Sequence, residues 1–342
     1  MKRVCSVLSF SLLILATTTR GQDAAALKDR LRAAEKATSL SAEDVRPYYL
    51  KIAFQLYDET GKPSEEGTVE EWWAAAGKDK RVYTLPSYTA TVVRAGGTTF
   101  RTPGAGPPPA LVELLLGQAT DPMPSDTEVD KSQPQMSKVN FGKVPLECVM
   151  LAQPIKGLKS APMGLFPTYC FDPGKDSLRA TFNFGTQFVL RNAIGTFQQR
   201  SVSTDIAVRS GDLPSARGKI TTLKTQAVTD ADLATDGLEP LGMGAPHRVE
   251  PGVIQGRVAK QQQPIYPESA KQNHITGAVV LHALIGTDGH VYDLSVLSSP
   301  DPDLAIAAVA AVRQWVYKPY LLFGEPAEVE TTITVNFAMN YR

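Results

Sequence analysis

Residues 266–299 read YPESAKQNHITGAVVLHALIGTDGHVYDLSVLSS, and the changes of period along them decide the fold of the C-terminal part. Proline at the first helical position, after Tyr266-Pro267, predicts one or two helical turns over Glu268 to Asn273. Ala278 to Ile285 reads as a strand. Asp288-Gly289 supplies the pair that a tight hairpin with positive φ requires, and Val291 to Leu297 returns as the partner strand. Downstream, Asp301 is a helix cap with Pro302 just inside. The helix Asp303 to Val316 then carries Leu304, Ala308, Ala311, Val312 and Trp315 on one stripe, until Lys318-Pro319 ends it. In Glu328 to Met339 the residues Val329, Thr331, Ile333, Val335, Phe337 and Met339 alternate with Glu330, Thr332, Thr334, Asn336 and Ala338, giving one dry face and one wet face. The order helix, strand, strand, helix, strand predicts a small two-layer α/β unit over 252–342, with an antiparallel sheet and a long final strand.

Upstream, 230–251 is rich in Gly, Pro, Gln and Ala and reads as a linker, with a short strand expected at Val253 to Val258. Before it, Ala24 to Leu40 has helical spacing and Tyr48 to Tyr57 alternates with period two. Strand-like runs follow at Thr68 to Ala74, Arg81 to Leu85, Ser87 to Val93 and Thr98 to Arg101, with Gly96-Gly97 as a hairpin turn. A helix is expected at Ala110 to Gln118. Further strands are expected at Val144 to Ala152, Thr168 to Phe171, Leu178 to Phe184, Phe188 to Asn192, Thr196 to Val208 and Lys219 to Thr225. About ten strands with a few helices predict, for 22–229, a β-rich curved antiparallel half-barrel with helices packed into its concave side. The fold class is α+β.

The 342 residues suit two domains, and 43% hydrophobic with 20% charged is ordinary globular composition. The 26 glycines and 25 prolines suit many short strands joined by turns. Thirty-five basic residues balance 35 acidic ones, so nothing in the bulk charge favours nucleic acid. Lys2 and Arg3 precede an apolar run from Val4 to Ala16, and residues 1–21 read as a signal peptide with cleavage after Gly21. That run spans roughly 20 Å as a helix, short of the ~30 Å hydrocarbon slab. Export to the periplasm is the expectation, with an uncleaved inner-membrane anchor as the alternative. Loss of Cys5 with the leader leaves Cys148 and Cys170, which are expected to pair in an oxidising compartment. The four histidines, His247, His274, His282 and His290, lack metal-ligand spacing. Phosphate-loop, nucleophile-elbow and zinc-protease motifs are missing. No enzyme, cofactor or metal site is predicted.

The string at 266–299, with AAVAAVRQWVYKPY at 307–320 and GEPAEVETTITVNF at 324–337, closely resembles the C-terminal domain of the TonB family. Tyr266, Pro267, Gly277, Asp288, Gly289, Val291, Trp315, Pro319 and Phe337 stand where that family's pattern has the same residues. The resemblance implies a binding domain rather than a catalyst, one that adds the TonB-box peptide of an outer-membrane receptor to its sheet. The receiving edge would be Glu328, Val329, Glu330, Thr331, Thr332, Ile333, Thr334, Val335, Asn336 and Phe337. Energy-transducing members also couple to ExbB/ExbD through a membrane-spanning helix and a long proline-rich spacer. Neither is plain here, so coupling to ExbB/ExbD stays open. The order of features in the first domain resembles the LolA lipoprotein-carrier fold. That resemblance implies a groove for a lipid or other apolar ligand, with Trp72, Phe166, Phe182 and Phe184 as candidate lining; filling of an ordinary core is the other reading of the same aromatics.

Overall fold

A computed structural model describes residues 24–58, 60–183, 188–241, 247–248, 257–286, 289–322, 325–327 and 329–339. The expected leader, Phe184, Asp288 and Glu328 lie outside the described residues, as does most of the strand expected at Val253 to Val258. Strand dominates, with a few helices.

The first helix, α1 (Ala24–Thr38), buries Leu27, Leu31, Ala34 and Thr38, the three-to-four spacing of an amphipathic stripe. Strands β1 (Tyr48–Tyr57), β2 (Pro63–Ala75), β3 (Lys78–Thr84), β4 (Thr89–Ala95) and β5 (Thr98–Arg101) then form an antiparallel meander. Helix α2 (Ala110–Thr120) buries Val112, Leu115, Leu116 and Ala119. Helix α3 (Asp126–Lys131) starts with a capping box made by Ser125 and Glu128. A second meander follows: β6 (Gln135–Phe141), β7 (Val144–Met150), β8 (Thr168–Phe171), β9 (Leu178–Phe182), β10 (Phe188–Phe197), β11 (Arg200–Ser210) and β12 (Leu213–Thr225). Pairing of β1 with β12 zips the two meanders into one sheet, with β6 at one edge and the short β13 (Glu239–Leu241) at the other, against β5. β13 comes from the stretch read as linker: three residues beside an unpaired strand edge satisfy its donors and acceptors. Helix α2 packs over β1, β11 and β12. At Gly218 a Cβ would stand 3.2 Å from a Leu115 methyl, so the missing side chain lets the helix approach.

The C-terminal part contains β14 (His247–Arg248), β15 (Val258–Lys260), α4 (Glu268–Gln272), β16 (Gly277–Ile285), β17 (Val291–Ser298), α5 (Pro302–Val312), β18 (Val316–Tyr317), β19 (Tyr320–Leu322), β20 (Glu325–Ala327) and β21 (Val329–Phe337). A four-stranded sheet has the order β14-β21-β16-β17. Asp301 caps α5 by accepting from the amides of Asp303 and Leu304. Leu304, Ala308 and Val312 pack with Leu281, Val296 and Ile333 in one apolar core. The expected helix to Val316 stops at Val312. Val316 and Tyr317 find a strand partner in β15; Val316 is β-branched and Lys318 precedes Pro319, so both disfavour another helical turn.

This C-terminal core is not confined to C-terminal residues. Met150 at the end of β7, and Ala152, Ile155, Leu165 and Phe166 from the segment between β7 and β8, belong to it. The same segment meets the end of β17, where Ser299 donates its amide to the Lys156 carbonyl at 3.1 Å. Gly157 has φ +97, and a Cβ there would lie 2.3 Å from the Ser299 carbonyl oxygen, so only glycine fits this seam.

Candidate functional site

The strand expected to receive a partner, β21, pairs with β16 through nine consecutive residues, Gly277↔Phe337 to Ile285↔Val329, with no break in register. Its dry face is as the alternation predicts: Val329, Thr331, Ile333, Val335 and Phe337 are buried, while Thr334 and Asn336 are exposed. On the wet face His282 Nε2 lies 2.6 Å from Glu330 Oε1.

The outer rim of β21 is occupied at its beginning. His247 and Arg248 pair with Val329 and Glu330 in parallel, so the rim is not open along the whole expected range. A tethered segment has a high effective concentration at any unpaired edge beside it, which favours such self-pairing. Among the described residues no strand pairs with this rim from Thr332 to Phe337. At the far end of β21 a cavity of about 460 Å³ opens, bordered by Ala278, Asn336, Phe337 and Met339. The opposite edge of the sheet, β17, meets β16 with two breaks in register and carries the Lys156 bridge at Ser298. Bulges of this kind blunt an edge against addition.

The residues of the quoted motif form the scaffold behind the rim. Tyr266 donates its hydroxyl to the Ile275 carbonyl at 2.6 Å and sets its ring edge-on to Phe337, with centroids 5.4 Å apart. Pro267 is the residue before α4. Gly277 has φ +140 and faces the Pro300 ring. At Gly289, φ +83, a Cβ would stand 1.8 Å from the Tyr317 carbonyl oxygen, and the Gly289 carbonyl accepts from the Tyr317 amide at 2.8 Å. Trp315 is buried and donates Nε1–H to the Gln262 carbonyl at 2.8 Å, while the Pro319 carbonyl accepts from Arg257 at 2.6 Å. Cys148 and Cys170 form a disulfide between directly opposed residues of β7 and β8.

Residues 262–339 match the family described as Gram-negative bacterial TonB protein C-terminal. Over these residues the chain is similar to a TonB C-terminal domain. Protein TonB of Vibrio cholerae serotype O1 is 30% identical over 83 residues, which cover 24% of this chain and 34% of that protein. The chain therefore spans about a third of the length of that curated relative. Among solved structures, a LolA superfamily protein from Nitrosomonas europaea aligns over 60% of this chain and 98% of its own, at 9% identity and a TM-score of 0.40. A DUF1329 family protein from Desulfovibrio piger aligns over 64% and 100%, at 10% identity and a TM-score of 0.42.

Of the aromatics expected to line a groove, Trp72 is on the outer face of β2, tilted against Tyr49 and under Lys80. Its neighbour Trp73 is the buried one, stacked on Tyr48. Phe166 belongs to the C-terminal core. Phe182 stacks on Phe188 and also borders a cavity with Gln118, Tyr169 and Arg313, a group that sequence reasoning did not single out. Among the described residues no cluster of His, Cys, Asp and Glu could hold a metal ion, and no helix is long and apolar enough to cross a membrane.

Proposed function

We propose that this chain is a non-enzymatic TonB-like protein of the cell envelope, placed in the periplasm, whose two-layer C-terminal unit binds an extended polypeptide by strand addition at β21. The occupant in this reading is a TonB-box-like peptide of an outer-membrane receptor. One observation carries it: the rim of β21 from Thr332 to Phe337 is regular in register, backed by a rigid core and bordered by a cavity at Phe337 that an anchoring side chain can fill. Six residues alternate in direction, so three of them present an N–H and a C=O outward. Six main-chain bonds at a net ~1 kcal/mol each compete with an association cost of about 4–15 kcal/mol. Main-chain pairing alone therefore gives weak binding, and side-chain contacts in the cavity must supply the rest.

The alternative, a half-barrel first domain carrying a lipid or other apolar ligand, has less behind it. Of the four aromatics expected to line such a groove, Trp72 points outward, Phe166 and Phe182 are packed in cores, and Phe184 is not described.

The test uses the full chain, because its C-terminal core includes residues 150–166. Titration of a synthetic TonB-box-like peptide into ¹⁵N-threonine-labelled protein should shift the amides of Thr332 and Thr334 and leave Thr68 and Thr89 unmoved. Saturating peptide with no change at Thr332 or Thr334 would remove the strand-addition reading.

A further inference from the structure

Sheet edges elsewhere in the molecule are covered or irregular: β13 pairs with β5, β17 meets β16 with breaks in register, and β14 takes the beginning of β21. β6, at one end of the large sheet, is different. It runs beside β7 without a break, from Gln135↔Met150 to Phe141↔Val144. A two-residue turn, with Gly142 at φ +62, closes this hairpin. The residues flanking such a turn exchange both main-chain hydrogen bonds, and the pairs alternate from there. Phe141, Val139, Ser137 and Gln135 therefore bond inward to β7, while Met136, Lys138 and Asn140 turn their N–H and C=O groups outward. Among the described residues no backbone group bonds to that outer side, and Lys138 and Asn140 are exposed.

The charge along this edge has one sign. Residues 131–143 read KSQPQMSKVNFGK, with Lys131, Lys138 and Lys143 and no acidic residue. All three lysines are exposed, and the acids around them are engaged elsewhere. Glu147, directly opposite Lys138 on β7, is held by Arg30 at 3.0 Å, Asp126 and Asp130 of α3 are held by Arg32, and Glu128 closes the capping box. On the other face of β6, Val139 and Phe141 pack in one cluster with Leu146, Phe182 and Phe188, beside a Val144 that is 54% exposed. A strand added here meets an apolar row on one face and an uncompensated lysine on the other. Lysine on an edge discourages pairing, and a carboxylate opposite it removes that cost. A second copy of the chain fits poorly, because the symmetric register that uses every outward group sets Lys138 against Lys138.

We propose that β6 is a further strand-addition edge, fitted to an extended acidic segment of another protein whose carboxylates, in one phase, face Lys138 and whose apolar residues, in the other, extend the Val139 and Phe141 row. This does not rest on peptide binding at β21, since the two edges belong to different sheets.

Fluorescence anisotropy tests it, with the full chain titrated into a labelled heptapeptide of alternating valine and glutamate, and alternating valine and lysine as the control. The glutamate peptide should bind saturably and lose affinity in ~1 M salt, where charges are screened within about 3 Å; the lysine peptide should not bind. Lys138→Glu should weaken the glutamate peptide by about threefold or more and give the lysine peptide measurable binding. Asn140→Pro removes an outward N–H at an edge position where proline is tolerated, and should abolish binding of the glutamate peptide. Should Asn140→Pro fail to fold, the exchange of preference in Lys138→Glu decides alone. No saturable binding of the glutamate peptide at millimolar concentration overturns the proposal. So does affinity that survives either substitution in a folded chain, because the peptide then sits elsewhere, the β21 rim included. A chain that sediments as a dimer, and as a monomer once Asn140→Pro is made, overturns it as well, since the rim then holds a second copy.

Discussion

Replacing Phe166 by alanine should destabilise the TonB-like unit even though Phe166 lies about a hundred residues before it in sequence. Phe166 is 4% exposed and packs in the same core as Val309, Trp315 and Ile333. Truncating a buried phenylalanine removes its transfer free energy and leaves a cavity, together about 3–5 kcal/mol. Against a total stability of about 5–15 kcal/mol for a domain, that is a large fraction. The three tryptophans make the effect measurable without further mutation, since Trp72 and Trp73 report the large sheet and Trp315 the C-terminal core. In protein labelled with 5-fluorotryptophan, three ¹⁹F signals followed through a urea titration give each unit its own midpoint. The Trp315 transition should move to lower urea by the equivalent of about 3–5 kcal/mol. If the Trp315 midpoint moves by less than ~1 kcal/mol, the seam carries no energy and the two cores are independent. The same reasoning predicts that a fragment of residues 252–342, lacking five core side chains from residues 150–166, is less stable than the same residues in the full chain.

Arg81 bridges the buried Glu71 at 3.0 Å and Asp79 at 3.3 Å, with Glu113 at 3.2 Å; Arg81→Met leaves the buried Glu71 without a charge partner, while Asp79 keeps Arg94 at 2.7 Å, and should cost about 3–5 kcal/mol in urea unfolding, a loss under ~1 kcal/mol arguing against the network. Gly289→Ala forces a side chain onto the Tyr317 carbonyl in a left-handed backbone and should cost at least about 2 kcal/mol, so an unchanged melting temperature would contradict the geometry. Cys148→Ala with Cys170→Ala should lower stability by about 3 kcal/mol for a loop of 22 residues, and equal midpoints for the variant and the oxidised parent would count against it. A hydrogen bond from Arg217, then one from Asn192 and the Arg217 and Lys219 charges, hold the Asp205 carboxyl below its ordinary 3.8 against desolvation. The unfolded chain therefore binds the proton more readily, so this contribution is complete above about 3.8 and is lost as pH falls below it. Asp205→Asn should flatten the acid limb of melting temperature against pH, and parallel limbs would refute the assignment.

Local period decided much of this fold before any coordinates. Ten alternating residues from Tyr48 to Tyr57 gave β1 at both boundaries, and Asp301 with Pro302 gave the start of α5. Alternation is a local property, set by which face of a strand meets the core, so it survives in the sequence. The phase at Trp72-Trp73 was harder, because two adjacent tryptophans both look like core. Yet Val69, Glu71 and Trp73 share a phase, and all three are buried. Arg191 follows the same logic: in Phe188 to Phe197 it has the phase of Val189, which places a charge on the dry face. A charged residue in the inward phase of a strand is the signal that marks both the Arg81 network and the buried Arg191. The capping of the β21 rim by His247 and Arg248 was illegible, since a two-residue pairing has no period of its own.

An adaptor that binds a partner at one edge must keep that edge apart from the contacts that hold its own parts together. In the four-stranded sheet these tasks fall on opposite sides. β21 faces outward with β14 at its beginning, whereas β17, two strands away, receives the segment carrying Lys156. At about 4.8 Å per strand the backbones of β21 and β17 are roughly 10 Å apart, with β16 between them and α5 packed beneath. An incoming strand at Thr332 to Phe337 thus extends the sheet away from the seam and displaces none of the contacts at Ser298 and Ser299. Only a strand extending back to Val329 and Glu330 competes with His247 and Arg248, whose pairing covers two residues and represents at most a few kcal/mol of main-chain hydrogen bonding. Deleting that short pairing should therefore lengthen the receiving rim and tighten peptide binding, without loosening the core that Phe166 helps to fill.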